Sequence, residues 1–180
     1  PKIIGFYESD IEDFLFLEEV KGKFPDKYFE NHRREIIKQD SKMLALLCLA
    51  GYRKIGFNDF DDKIFDGESL YLIDVDECRD LYFPLDTNYR KVLLNPNDSA
   101  KLDEFREKQK NIFEFALKDA IYRYRDSLTP DKDSQNYYIE CFSDKIGWGK
   151  LSDQKINDLA NFPENYMTLD SYLSMMSDTG

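Results

Sequence analysis

Apolar residues recur with a helical period between positions 99 and 128, at the i, i+3, i+4, i+7 spacing of one helix face. Asp98 or Ser99 can cap the start of this helix. Pro130 ends it, because the residue before a proline is pushed out of the helical region. The pattern predicts one long core helix with these residues on its buried face: Leu102, Phe105, Ile112, Phe113, Ala116, Leu117, Ala120, Ile121 and Tyr124.

Weaker helical patterns lie on both sides of this segment. Ser9 and Glu12 have the spacing of a capping box, which predicts a short helix that runs to about Lys21. Farther along, Asp40 and Ser41 either cap a separate helix or lie within one longer helix. The expected flanking helices are one at about 10–21, one or two within 25–50, one at 152–161 capped by Ser152, and one at 168–176 capped by Thr168.

Three stretches have the β-branched and aromatic composition of strands, namely 1–7, 70–76 and 137–142. Residues 58–68 are predicted to form a loop or hairpin, with Asp66-Gly67 as its turn. The expected fold is α+β and α-dominant. Helices pack around the long central helix (about 99–128) beside a small antiparallel sheet, and the length favours a single domain spanning 1–180.

Charge changes the picture more than composition does. The net charge is −11, from 36 acids and 25 bases, which argues against direct binding to nucleic acid or an anionic membrane. Between Gly56 and Thr87 there are ten acids and two bases, Lys63 and Arg79, and aromatic residues are interspersed among them. The ten acids of this band are Asp59, Asp61, Asp62, Asp66, Glu68, Asp74, Asp76, Glu77, Asp80 and Asp86.

Cofactor motifs are not found in the sequence. Three widely spaced cysteines fit neither a disulfide framework nor a metal motif, and they are expected to be reduced thiols of a cytoplasmic protein. The longest apolar run, at 43–50, is far shorter than the roughly 20 residues of a membrane span. His32 is the only histidine, and no glycine pattern for binding phosphate occurs, so no cofactor and no membrane contact are expected.

One catalytic alternative uses the acids that follow the predicted strand at 70–76. Asp74 and Asp76 lie on one face of that strand, with Glu77 beside them, and such carboxylates can hold a divalent metal for hydrolysis. The simpler interpretation is a strand end whose polar face meets solvent. A metal-dependent hydrolase that uses Asp74, Asp76 and Glu77 is therefore kept as an alternative.

The combination of aromatic residues and carboxylates favours a protein interface, in which aromatic side chains act as anchors and acids attract a basic partner. The acidity, size and lack of catalytic motifs are similar in type to those of bacterial immunity proteins that neutralise nuclease toxins. The main hypothesis is a non-enzymatic inhibitor that covers the basic active site of such a toxin. A second alternative is a phage-type DNA mimic, whose carboxylates would occupy phosphate positions. The expected partner-binding residues are Asp59, Asp61, Asp62, Asp66, Glu68, Asp74, Asp76, Glu77 and Tyr82.

Overall fold

The fold is α+β and helix-dominant, as predicted. The computed structural model describes residues 3–7, 14–54, 60–74, 78–83, 99–161 and 167–178. The elements within these ranges are β1 (Ile3–Tyr7), β2 (Phe14–Leu17), α1 (Phe29–Leu49), β3 (Tyr52–Lys54), β4 (Lys63–Phe65), β5 (Leu70–Leu72), β6 (Cys78–Asp80), α2 (Ser99–Tyr124), α3 (Lys132–Ile146), α4 (Asp153–Ala160) and α5 (Leu169–Asp178), with short 3₁₀ helices at Pro25–Tyr28 and Phe60–Asp62.

The long helix α2 confirms the prediction from the apolar period. It packs against all four other helices, although the most extensive helix contact joins α1 and α3. Beyond Tyr124 the chain turns, and Thr129 closes the helix end by donating its hydroxyl to the carbonyl of Ile121 at 3.3 Å. The buried residues of its apolar face are those predicted from Ile112 onward: Ile112, Phe113, Ala116, Leu117, Ala120, Ile121 and Tyr124.

Helix α1 is a single helix. Asp40 and Ser41 do not cap a second helix, because both lie in the middle of α1 and are fully buried. They occupy the same apolar stripe as Ile37 and Leu44, so a polar pair interrupts the core face of α1.

The predicted helix at 10–21 is wrong. Residues Phe14–Leu17 form β2, which pairs antiparallel with β1 and sets Tyr7 opposite Phe14. The reason lies in the sequence, since 14–17 is a continuous run of four apolar residues bounded by charged residues, a pattern typical of a paired strand. The proposed capping box at 9–12 lies outside the described residues.

The predicted strand at 137–142 is also wrong, because these residues belong to α3. Tyr138, Ile139 and Phe142 are buried, and the i, i+1, i+4 spacing places them on one helix face. Asp131 caps the start of α3 by accepting the Ser134 amide at 2.7 Å. Aromatic composition alone favoured a strand there, and the helical packing of α3 on α1 overrides it.

The described strands form three separate two-stranded antiparallel sheets, β1–β2, β3–β6 and β4–β5. The β4–β5 hairpin turns at Asp66-Gly67 as predicted, with Gly67 at φ 107°, a value that favours glycine. The other edge of β4 is occupied by Lys23, whose backbone exchanges hydrogen bonds of 3.1 and 2.9 Å with Phe65. The hairpin is thus held at both edges.

The two closing helices, α4 and α5, are confirmed with their caps. Ser152 accepts the Lys155 amide at 3.2 Å, and Thr168 accepts the Ser171 amide at 3.2 Å. An ion pair of 2.7 Å between Lys155 and Glu114 ties α4 to α2. In the described part of the chain, no helix combines the length and the apolar character that crossing a membrane requires.

Candidate protein-binding surface

The predicted acidic band contains one well-defined element, residues 60–74, which we call the acidic hairpin. It comprises the 3₁₀ helix Phe60–Asp62 and the strands β4 and β5. Asp61, Asp66 and Glu68 are exposed on it. These three predicted residues share a single element and face solvent, as a partner-binding surface requires.

Asp66 shapes the turn of the acidic hairpin. Its carboxylate accepts the backbone amides of Glu68 at 2.8 Å and Ser69 at 2.7 Å, and the Tyr71 hydroxyl at 3.1 Å. The Ser69 and Glu68 amides are the main reason why the pKa of Asp66 is below its ordinary value. Asp66 therefore carries its negative charge at neutral pH and also fixes the loop that displays Glu68.

Gln39 of α1 holds the same loop from behind. Its side-chain amide donates to the Glu68 carbonyl at 2.7 Å and accepts the Leu70 amide at 2.7 Å. A further donation to Glu35, at 2.8 Å, orients the Gln39 side chain. The tip of the acidic hairpin is therefore fixed to a long helix, which lowers the conformational entropy that binding would remove.

The only basic residue of the acidic hairpin points inward. Lys63 is fully buried, and its ammonium nitrogen lies 2.9 Å from Oδ1 of Asp40 on α1. It also donates to the hydroxyl of Tyr124 at 2.6 Å. The positive charge of Lys63 is thus neutralised within the core and does not reach the outer face.

Two tyrosines complete the bonding of Asp40. The Tyr124 hydroxyl donates to Oδ1 at 3.0 Å, and the Tyr138 hydroxyl donates to Oδ2 at 2.6 Å. Burial, followed by the negative charge of Asp40, raises the pKa of Tyr138 well above its ordinary value, so this hydroxyl stays protonated and remains a donor. Ser41 adds a bond of 2.6 Å to the Tyr138 carbonyl, which joins α1 to α3.

A second lysine beside the acidic hairpin is also buried. Lys54 of β3 lies 3.0 Å from Oδ2 of Asp62, and their side chains are 2% and 16% exposed. Asp62 was predicted to contact a partner, but its carboxylate mainly anchors the acidic hairpin to β3. Both nearby lysines therefore face inward, while Asp61, Asp66 and Glu68 remain outside.

The negative surface has a boundary along the free side of β4. The bridge between Lys23 and Phe65 brings the segment 21–27 against the acidic hairpin, and Lys21, Lys23 and Lys27 are exposed there. A partner that uses the acidic hairpin would therefore approach from the turn and not across this edge, because the lysines would repel a basic protein.

The remaining predicted site residues lie elsewhere. Asp59, Asp76 and Glu77 are outside the described residues, and Asp74 is half-buried just after β5. Tyr82 lies by the β3–β6 sheet, where it is half-buried and its hydroxyl accepts Gln109 at 2.8 Å. Burial raises the pKa of Tyr82, the pKa effect expected of a packing residue.

The metal-dependent alternative stays a prediction. Among the residues that the structure describes, no group of three or more histidine, cysteine, aspartate or glutamate side chains is placed to hold a metal ion. Two of the three proposed ligands, Asp76 and Glu77, fall outside those residues.

Sequence reasoning missed the buried Asp40–Lys63 pair, although a signal for each was present. Asp40 lies between Ile36 and Leu44 at helical spacing, which places it on the core face of α1. Lys63 lies two residues before the buried Phe65, and residues i and i+2 of a strand share a face. Two opposite charges on inward-facing positions indicate an internal ion pair.

Comparison with known proteins gives no further guide. No protein-family model matches this chain, and no curated protein or solved structure matches it significantly. The functional argument therefore rests on the charge, exposure and rigidity of the residues described above.

Proposed function

We propose that this chain is a non-enzymatic inhibitor that binds a basic protein through its acidic hairpin, in the manner of an immunity protein that covers the active site of a nuclease toxin. One observation carries the proposal. The only lysine of residues 60–74 is buried against Asp40, whereas Asp61, Asp66 and Glu68 face outward.

Electrostatics supports a basic active site as the target. A nuclease that binds phosphates presents a positive cleft, and carboxylates displayed on a complementary surface raise the association rate and exclude neutral partners. The Gln39 bonds and the Asp66 turn fix these carboxylates before binding. An inhibitor of this type can occupy the cleft without catalytic residues of its own.

The compartment follows from the same proposal. An immunity protein protects the cell that makes the toxin, so it acts in the cytoplasm. The three cysteines of this chain are all free thiols, which agrees with a reducing compartment.

The decisive experiment uses a basic nuclease domain encoded beside the gene for this chain. Purified nuclease and inhibitor should form a stoichiometric complex without nuclease activity. Raising the salt from about 50 to about 500 mM should slow association by at least about tenfold. Asp61→Lys and Glu68→Lys should each slow association by about 3- to 10-fold while changing dissociation less.

Asp158→Lys is the matched control, because Asp158 is equally exposed but lies on α4. It makes the same charge change and should leave the rate within about twofold. The proposal is rejected if the nuclease stays active in the mixture or if association ignores salt. Equal slowing by Asp158→Lys would show that net charge, and not the acidic hairpin, determines binding.

A further inference from the structure

A second feature, independent of the acidic hairpin, lies where α3 ends and α4 begins. A pocket of about 360 Å³ opens there, within the size range of small-molecule sites. Three exposed carboxylates line it, from Glu140 and Asp144 of α3 and Asp153 of α4, together with the ammonium of Lys150. Leu151 and Ile156 supply its apolar wall.

Ser143 sets this pocket apart from an ordinary group of surface acids. It lines the pocket, is only 2% exposed, and its hydroxyl oxygen has no hydrogen-bond partner among the described residues. A buried hydroxyl without a partner costs about 1–3 kcal/mol, so such groups are uncommon in folded proteins. The Ser143 hydroxyl is available to a ligand in the pocket.

The backbone around Ser143 is firmly held. Its carbonyl accepts the amides of Gly147 at 3.1 Å and Trp148 at 3.0 Å, and Gly147 has a φ of 83°. This pairing is the usual way to end a helix at a glycine. The Trp148 ring also packs edge-on against Phe142, with centroids 5.6 Å apart. The pocket is therefore formed before any ligand binds.

We propose that this pocket binds a small organic cation, a primary amine or guanidinium on a short methylene chain. The charged head would donate hydrogen bonds to the Ser143 hydroxyl and to the carboxylates of Glu140 and Asp144, while the methylenes pack on Leu151 and Ile156. An anion is disfavoured by three carboxylates against one lysine. A bare metal ion is disfavoured because no ligand cluster for one occurs in the described part of the chain.

The test is a titration with agmatine, which carries both head groups, followed by amide chemical shifts and calorimetry. Shifts should concentrate at residues 140–156. Asp144→Asn and Ser143→Ala should each weaken binding by about tenfold, the size expected for a hydrogen bond to a charged group. Asp133→Asn is the matched control, since it removes the same charge near the other end of α3 and should change the affinity less than twofold.

A basic peptide identifies the source of the cation. If the pocket takes free amines, agmatine should bind at least as tightly as a short arginine-containing peptide. Tighter binding of the peptide would assign the pocket to a side chain of a protein and overturn the proposal. It is also overturned if agmatine leaves residues 140–156 unshifted, if Ser143→Ala binds normally, or if inorganic phosphate or Mg²⁺ gives the same shifts.

Discussion

The two ends of the acidic hairpin make opposite use of charge. At the inner end, Lys63 is fully buried and surrounded by Asp40 and Tyr124. At the outer end, only a few residues away, Glu68 is exposed and Asp66 bonds to its own turn. The inner charges determine whether the hairpin is held in place, and the outer charges are free for recognition. A substitution at one end should therefore leave the function of the other measurable.

Breaking the inner ion pair should have the largest effect. Lys63→Met leaves Asp40 buried without its countercharge and should lower the free energy of unfolding by about 3–5 kcal/mol, measured by urea denaturation. Asp40→Leu should cost a similar amount. The double variant should be more stable than either single variant, because no uncompensated charge remains. If Lys63→Met costs less than about 1 kcal/mol, the inner end is not held by this pair.

A methyl group at Gly22 should loosen the hairpin from its other edge. A Cβ there would lie 2.5 Å from the backbone carbonyl oxygen of Phe65, so the two chains would have to separate. We expect Gly22→Ala to lower the free energy of unfolding by about 1–3 kcal/mol. Lys21→Ala, an exposed neighbour, should change it by less than about 0.5 kcal/mol. Equal effects in the two variants would contradict the close approach.

Removing the turn carboxylate should have a smaller effect that depends on pH. The folded pKa of Asp66 is below the ordinary value of 3.8, so its contribution to stability is present above that pH and disappears as the pH falls through the folded pKa. Asp66→Ala should therefore lower Tm at pH 6, and the difference should shrink as the pH drops below 3.8. Asp66→Asn keeps an acceptor oxygen and should lose less. A Tm difference that is constant with pH would exclude the carboxylate as the cause.

The exposed acids should have almost no effect on stability. Asp61→Asn and Glu68→Gln remove charges that face solvent, and each should change the free energy of unfolding by less than about 0.5 kcal/mol. The same variants should slow association with a basic partner. If either one destabilises the protein as much as Asp66→Ala does, the outer end is not free for binding, and the contrast between the two ends fails.

Periodicity recovered the parts of this fold that are long or capped. The helix at 99–124 and the helices that start after Ser152 and Thr168 follow from apolar spacing and side-chain caps. The segments 14–17 and 137–142 were misassigned because short aromatic runs fit either structure, and tertiary pairing decides between them. Periodicity also could not show that the strands pair as three separate ribbons.

The candidate surface was predicted only in part. Counting acids located the band that contains Asp61, Asp66 and Glu68, but a count cannot separate an exposed carboxylate from one such as Asp62 that faces a buried lysine. Burial depends on contacts between distant segments, and the partners of Asp40 lie up to 98 residues away. A sequence pattern can indicate which positions face inward, whereas the pairing appears only once the helices are placed.

Those distances have a consequence for the order of events during synthesis. The carboxylate in the middle of the first helix needs a lysine that follows 23 positions later, then hydroxyls 84 and 98 positions away. Contacts so far apart along the chain close late, because the loop entropy is lost before they form. A nascent chain that stops short of Tyr138 lacks one donor to this acid, so the ribbon and its outward carboxylates become fixed only when translation is nearly three-quarters complete.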